Sequence, residues 1–117
     1  MDPDHARELL ARERARIERA LADLRQELSG EDEPDPLEAA DAARDLFDKE
    51  VGESLAVRLH EELEAVQRAE RRLAEGTYGV SVESGEPIPD GRLEMIPWAE
   101  RTAEEQERYE RARGPGP

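Results

Sequence analysis

Residues 78–106 read YGVSVESGEPIPDGRLEMIPWAERTAEEQ, and the spacing inside them decides the architecture. Two residues separate Ser81 from Ser84, seventeen separate Ser84 from Thr102, and two separate Thr102 from Glu105. That is the frame of a four-cysteine zinc ribbon in a chain that has no cysteine. A structural zinc site needs four soft or borderline donors closing a tetrahedron. Serine and threonine hydroxyls stay protonated at neutral pH and bind zinc weakly, so the pattern predicts a finger scaffold that folds without its metal. Ser81, Ser84, Thr102 and Glu105 are expected to hydrogen-bond across the two knuckles instead. In small zinc modules the metal supplies much of the folding free energy. Apolar packing must replace it here, and Tyr78, Ile88, Ile96 and Trp98 are the residues expected to form that core.

Working outward, Gly76, Gly79, Gly85, Pro87, Pro89 and Gly91 predict turns and short extended pieces over 76–97. Residues 100–112 return to helical composition, and the terminal GPGP, 114–117, is expected to be a disordered tail. Upstream, Ile17, Leu21, Leu24 and Leu28 recur every three or four residues, with Leu10 one heptad before Ile17. They predict a helix over 4–28, opened by Asp2, Pro3 and Asp4 and closed by Ser29-Gly30. SGEDEPDP, 29–36, is a polar turn. Asp35 as N-cap, Pro36 at the first helical position and Glu38 three residues after the cap start a second helix running to about Ala74. Leu37, Leu46, Phe47, Val51, Leu55, Leu59, Leu63, Val66 and Leu73 are its expected apolar positions. At ~1.5 Å per residue it would reach about 57 Å. A short connection makes the two helices antiparallel. The predicted fold is mainly α: residues 1–75 form a long antiparallel helical hairpin, a coiled coil with its tip at about 29–43. Residues 76–113 form a small metal-free zinc-ribbon-like module with a short C-terminal helix.

Composition agrees. Of the 117 residues, 41% are charged and 3% aromatic, too few large side chains for a broad core but enough aliphatics for a narrow seam. A net charge of −14 repels nucleic acid and anionic membranes, and points to a basic protein surface or a cation-holding channel as partner. The absence of cysteine excludes disulfides and thiol chemistry. MDPDHARELL has no signal-peptide order, and no apolar run approaches the ~20 residues of a membrane span. A cytoplasmic protein is expected. Catalytic constellations are missing. No glycine-rich phosphate loop is followed by the lysine and helix it requires, His5 and His60 stand alone, and Ser54 and Ser84 have no nearby base. The chain does not read as an enzyme.

GTYGV, GEPIP, RLE, IPWA and ER at their fixed spacings, with LEAADAARDLFDKE upstream, closely resemble the DksA/TraR family over roughly residues 35–107. These are bacterial proteins that bind RNA polymerase through its secondary channel. The resemblance assigns Ser81, Ser84, Thr102 and Glu105 to the four ligand positions. It also matches Glu38, Asp41 and Ala43 to the acid-x-x-Asp-x-Ala motif of the coiled-coil tip, which acts near the polymerase active site. The family usually has Asp at the first of these, and Glu38 is one methylene longer. Glu38 and Asp41, three apart, share a helix face and can reach one target, a basic side chain or the catalytic magnesium. The bland alternative is a solvated first turn favoured by the helix dipole. Some members bind ppGpp through basic residues on the second helix and past the last ligand. Arg58 suits such a site, but Ala65 and Gln106 stand where lysines belong, and a polyanion needs several cations. Arg68, Arg71 and Arg72 are expected to pair with Glu64, Glu70 and Glu75. The resemblance therefore implies a monomeric, non-enzymatic transcription regulator with RNA polymerase as partner and no direct nucleic-acid contact. Neither zinc nor ppGpp is expected. The alternative is an acidic coiled-coil adaptor that dimerises through the Ile17–Leu28 stripe. A transcript-cleavage factor is disfavoured, because such factors carry a different C-terminal domain.

Overall fold

A computed structural model describes residues 1–28 and 42–114, with the side chains of Leu28 and residues 42–48 outside that description. Among the described residues four helices follow one another: α1 (Pro3–Leu28), α2 (Ala42–Glu75), α3 (Asp90–Met95) and α4 (Ala103–Ala112). The fold is mainly α. The described residues contain no strand, only an isolated antiparallel bridge between Val80 and Pro87. No described helix is long and apolar enough to cross a membrane. The predicted cap of the second helix at Asp35-Pro36, Leu37, and the tip acids Glu38 and Asp41 lie outside the described residues. Ala43 lies in the first turn of α2.

Two compact units divide the chain, Arg14–Glu64 on one side and Met1–Glu13 with Ala65–Pro117 on the other. Early residues of α1 thus group with late residues of α2, the pairing of an antiparallel helical hairpin. In the Arg14–Glu64 unit, α1 buries Ile17, Leu21 and Leu24, as its periodicity predicts. The inward face of α2 differs from expectation. Val51 and Leu55 are 51% and 43% exposed, while Gly52 and Leu59 are buried and Ala56 and Leu63 half-buried. Positions 52, 56, 59 and 63 follow the four-three spacing of a coiled-coil seam, one residue out of phase with Val51 and Leu55. Small residues at Gly52 and Ala56 favour close helix approach, and the larger Val51 and Leu55 flank the seam. Arg16 reaches Glu62 across the pair at 3.4 Å.

In the other unit, α1 contributes Ala6 and Leu10, and α2 contributes Ala65, Val66 and Ala69, all buried. Gly76 closes α2 with φ +81. The Gly76 N–H donates to the Leu73 carbonyl and the Thr77 N–H to Arg72, a Schellman closure that a side chain at Gly76 would strain. The chain then folds into turns: Ser81 N–H donates to the Glu86 carbonyl at 2.8 Å, and Ile88 N–H to Gly79 at 2.8 Å. α3 is a helix in a stretch where only turns and extended pieces are predicted. It is six residues long, begins after Pro89 without a side-chain cap, and buries Leu93. Ile88, Leu93 and Ala99 form the buried cluster of this unit, with Met1, Tyr78 and Ile96 packed against it.

Side chains with no exposure on α1 should dominate stability. Ile17→Ala is expected to cost about 2–4 kcal/mol in denaturant unfolding, whereas Val51→Ala should change it by less than about 1 kcal/mol. Equal effects would contradict the shifted seam.

Candidate functional site

Two knuckles build the centre of the Ala65–Pro117 unit. In the first, the Ser81 carbonyl accepts from Gly85 N–H at 3.0 Å, and Gly85 turns the chain with φ +74. The Ser81 hydroxyl oxygen accepts from the backbone N–H groups of Glu83 and Ser84 at 3.1 and 3.3 Å, and Ser84 Oγ accepts from Glu86 N–H at 3.2 Å. The second knuckle is the start of α4. Thr102 is its N-cap, taking the Glu105 N–H on Oγ1 at 3.3 Å, while Thr102 N–H donates to Glu105 Oε1 at 2.8 Å. This is a capping box, which satisfies two otherwise orphaned donors of the first turn.

Glu105 ties the knuckles together. It is 6% exposed, and its carboxylate accepts from the Ser81 and Ser84 hydroxyls as well as from Thr102. Those donors hold its carboxyl down at about 2, the Thr102 backbone N–H contributing most and the two serine hydroxyls next; burial opposes them and is outweighed. The four positions singled out by spacing, Ser81, Ser84, Thr102 and Glu105, therefore come together in space. They do not fit zinc. One carboxylate and three neutral hydroxyls are a poor donor set, and the serine oxygens already accept backbone N–H groups. Among the described residues no three histidines, cysteines or acids group to hold a metal ion.

The apolar residues named for this module are placed unequally. Ile88 is buried, Tyr78 and Ile96 pack partly buried against it, and Trp98 is half-buried. Tyr78 donates its hydroxyl to the Pro97 carbonyl at 2.8 Å, and burial raises that phenol to about 12, against the pull of Arg72. Leu93 and Ala99 complete the cluster; neither is among the residues expected to form it.

Charged contacts add a second set of ties. Arg68 forks onto Glu100, with Nη2 at 2.7 Å from Oε1 and Nε at 3.3 Å from Oε2, and Arg72 stands 3.6 Å from the same carboxylate. The Val82 N–H donates to the Glu100 carbonyl at 2.9 Å. The helix spacing of Arg68 and Arg72 points to near neighbours, and the structure turns both to Glu100, about thirty residues later. No local spacing carries a signal for that partner. Arg92 caps the Arg101 carbonyl at 2.9 Å, and Arg101 lies 3.8 Å over the Tyr109 ring, a cation–π contact. At the positions compared with an alarmone site, Arg58 is exposed, Ala65 is buried and Gln106 donates to Glu110 at 3.0 Å.

Comparison with known proteins matches this geometry to a family. The pattern of the prokaryotic dksA/traR C4-type zinc finger fits residues 76–111. The solved structure of transcription factor DksA2 from Pseudomonas aeruginosa superposes with a TM-score of 0.72 at 32% identity, over 95% of this chain and 84% of that one. This chain belongs to the DksA/TraR family. The RNA polymerase-binding transcription factor DksA of Caulobacter vibrioides is 48% identical over 46 residues, 39% of this chain and 32% of that protein. General stress protein 16O of Bacillus subtilis is 48% identical over 44 residues, 38% of this chain. The match spans only 27% of the length of that Bacillus protein. Within the DksA/TraR frame, this chain departs at all four cysteine positions of the finger.

A depressed carboxyl stabilises the folded state above its unfolded pKa and stops doing so as pH falls through the folded value. The stability gap between this protein and its Glu105→Gln variant should therefore be full at neutral pH. It should narrow as pH falls from about 4.5 towards 2. Acid titration followed by Trp98 fluorescence reads it, and a gap that holds constant down to pH 2 contradicts the assignment.

Proposed function

We propose that this protein binds RNA polymerase and regulates transcription without catalysing a reaction of its own. The observation that carries this reading is the match to DksA2 along nearly the whole chain, with the finger segment also matching a polymerase-binding DksA. Residues 76–113 would dock on the enzyme, and the helical arm of residues 1–75 would enter its secondary channel. Glu38 and Asp41, with Ala43 behind them, would then sit close to the polymerase active site. Their carboxylates would alter initiation by meeting basic groups or the catalytic magnesium. A net charge of −14 suits a partly basic channel and disfavours direct contact with nucleic acid.

The protein would act as a cytoplasmic monomer without zinc or ppGpp. Supporting the last point, Arg68 and Arg72 are engaged with Glu100, and Ala65 offers no charge. The rival adaptor reading depends on the stripe of α1 being free to pair with another chain. Burial of Ile17, Leu21 and Leu24 within their own chain argues against it.

A pull-down with RNA polymerase is expected to retain the protein, and Asp41→Asn should keep binding while losing the effect on transcription initiation in vitro. Failure to bind polymerase would refute the proposal. Solution mass provides a separate check: a monomer is expected, and a stable dimer would favour the adaptor.

A further inference from the structure

We infer that Glu105 takes over the joining role of the finger's metal ion, so that an anion accepting hydrogen bonds stands where a cation accepting lone pairs would stand. The inference deepens the metal-free reading above and rests on it. In a four-thiolate site, anionic donors aim lone pairs at a central cation. Here the polarity is inverted. A hydroxyl has one proton to give and two lone pairs to receive with. Both lone pairs of Ser81 Oγ face backbone donors, from Glu83 and Ser84, and Ser84 Oγ accepts from Glu86. Each serine is thereby oriented to give its one proton outward, and both protons go to Glu105. The Thr102 N–H reaches the same carboxylate from the second knuckle at 2.8 Å.

The result is a cross-link of the same topology as the metal's. Residues 81 and 84 are tied to residue 105, closing the intervening loop that contains α3 and the buried Leu93. The closure entropy of that loop is the term a zinc ion would otherwise oppose. Glu105 also completes the capping box of α4, so one side chain fixes both the start of the helix and its distance from the first knuckle. A divalent ion at this place would have to break a backbone bond to reach a lone pair of Ser81, and would find one open lone pair on Ser84. The site disfavours the metal because its donors are one carboxylate and three neutral hydroxyls, each already holding a backbone N–H.

The test follows the Trp98 fluorescence transition on heating, with far-UV circular dichroism confirming that α1 and α2 stay folded. In this protein the transition is expected to be the same in EDTA and in added zinc. Glu105→Gln, which keeps the shape and removes the charge, should lower it by roughly 5 °C or more, with smaller losses for Ser81→Ala and Ser84→Ala. A variant carrying Ser81→Cys, Ser84→Cys, Thr102→Cys and Glu105→Cys together should become zinc-dependent, its transition falling in EDTA and recovering with zinc. An unchanged transition in Glu105→Gln overturns the joining role alone. A quadruple variant indifferent to zinc overturns the convergence of the four positions. Stabilisation of the unaltered protein by zinc would overturn the metal-free reading beneath both.

Discussion

A small module with few aromatic side chains must hold two distant turns together, and here the Glu105 carboxylate does so. Everything in the segment after α2 is arranged around that need. The first knuckle presents two serine protons, the second presents a backbone N–H, and a buried carboxylate receives all three. An isolated buried charge is costly, and neutral hydrogen-bond donors are an alternative to a counter-ion for offsetting it. That arrangement explains why Ser81 and Glu105, both polar, are among the most buried residues of the unit.

Around this centre the unit is fastened by ties that act at different points of the module. The fork from Arg68 to Glu100 links α2 to the segment before α4, and the Glu100 carbonyl in turn accepts from Val82 beside the first knuckle. Tyr78 anchors to Pro97, and the Arg92 side chain to the Arg101 carbonyl. The N-terminal ammonium meets Asp90 at 3.1 Å and His5 meets Glu94 at 2.6 Å, bringing the first turns of α1 against α3. Each exposed pair is worth little alone. Together they give a segment with a small apolar cluster a single arrangement, the contribution that metal coordination makes in thiolate fingers.

The α1–α2 helix pair obeys a different constraint. Its seam is aliphatic and narrow, and its outer faces carry charge in helix-spaced pairs such as Arg12 with Glu8 and Arg14 with Glu18. Those pairs support the helices by a few tenths of a kcal/mol each, so the seam carries the association. A family scaffold that keeps such a seam and keeps the finger's frame can change the chemistry inside the finger. This chain has made that change at four positions without leaving the fold.

The elements themselves were legible in the residues. The three-four spacing of α1, the glycine after α2 and the helical composition of α4 are short-range signals, each completed within a turn or two of chain. Ser81, Ser84, Thr102 and Glu105 could be singled out by their spacing, because the frame of a closed four-point site survives the loss of its ligands. Three things were settled only by tertiary structure. The seam of α2 runs through Gly52 and Ala56 rather than Val51 and Leu55, since small residues allow close approach only once a facing helix is there to approach. α3 forms in six residues beside Pro89 and Gly91, too short for periodicity to register, because burying Leu93 stabilises it. Arg68 and Arg72 turn to Glu100 instead of answering to their helix neighbours alone. In all three the deciding partner lies far along the chain, and only folding brings it within reach.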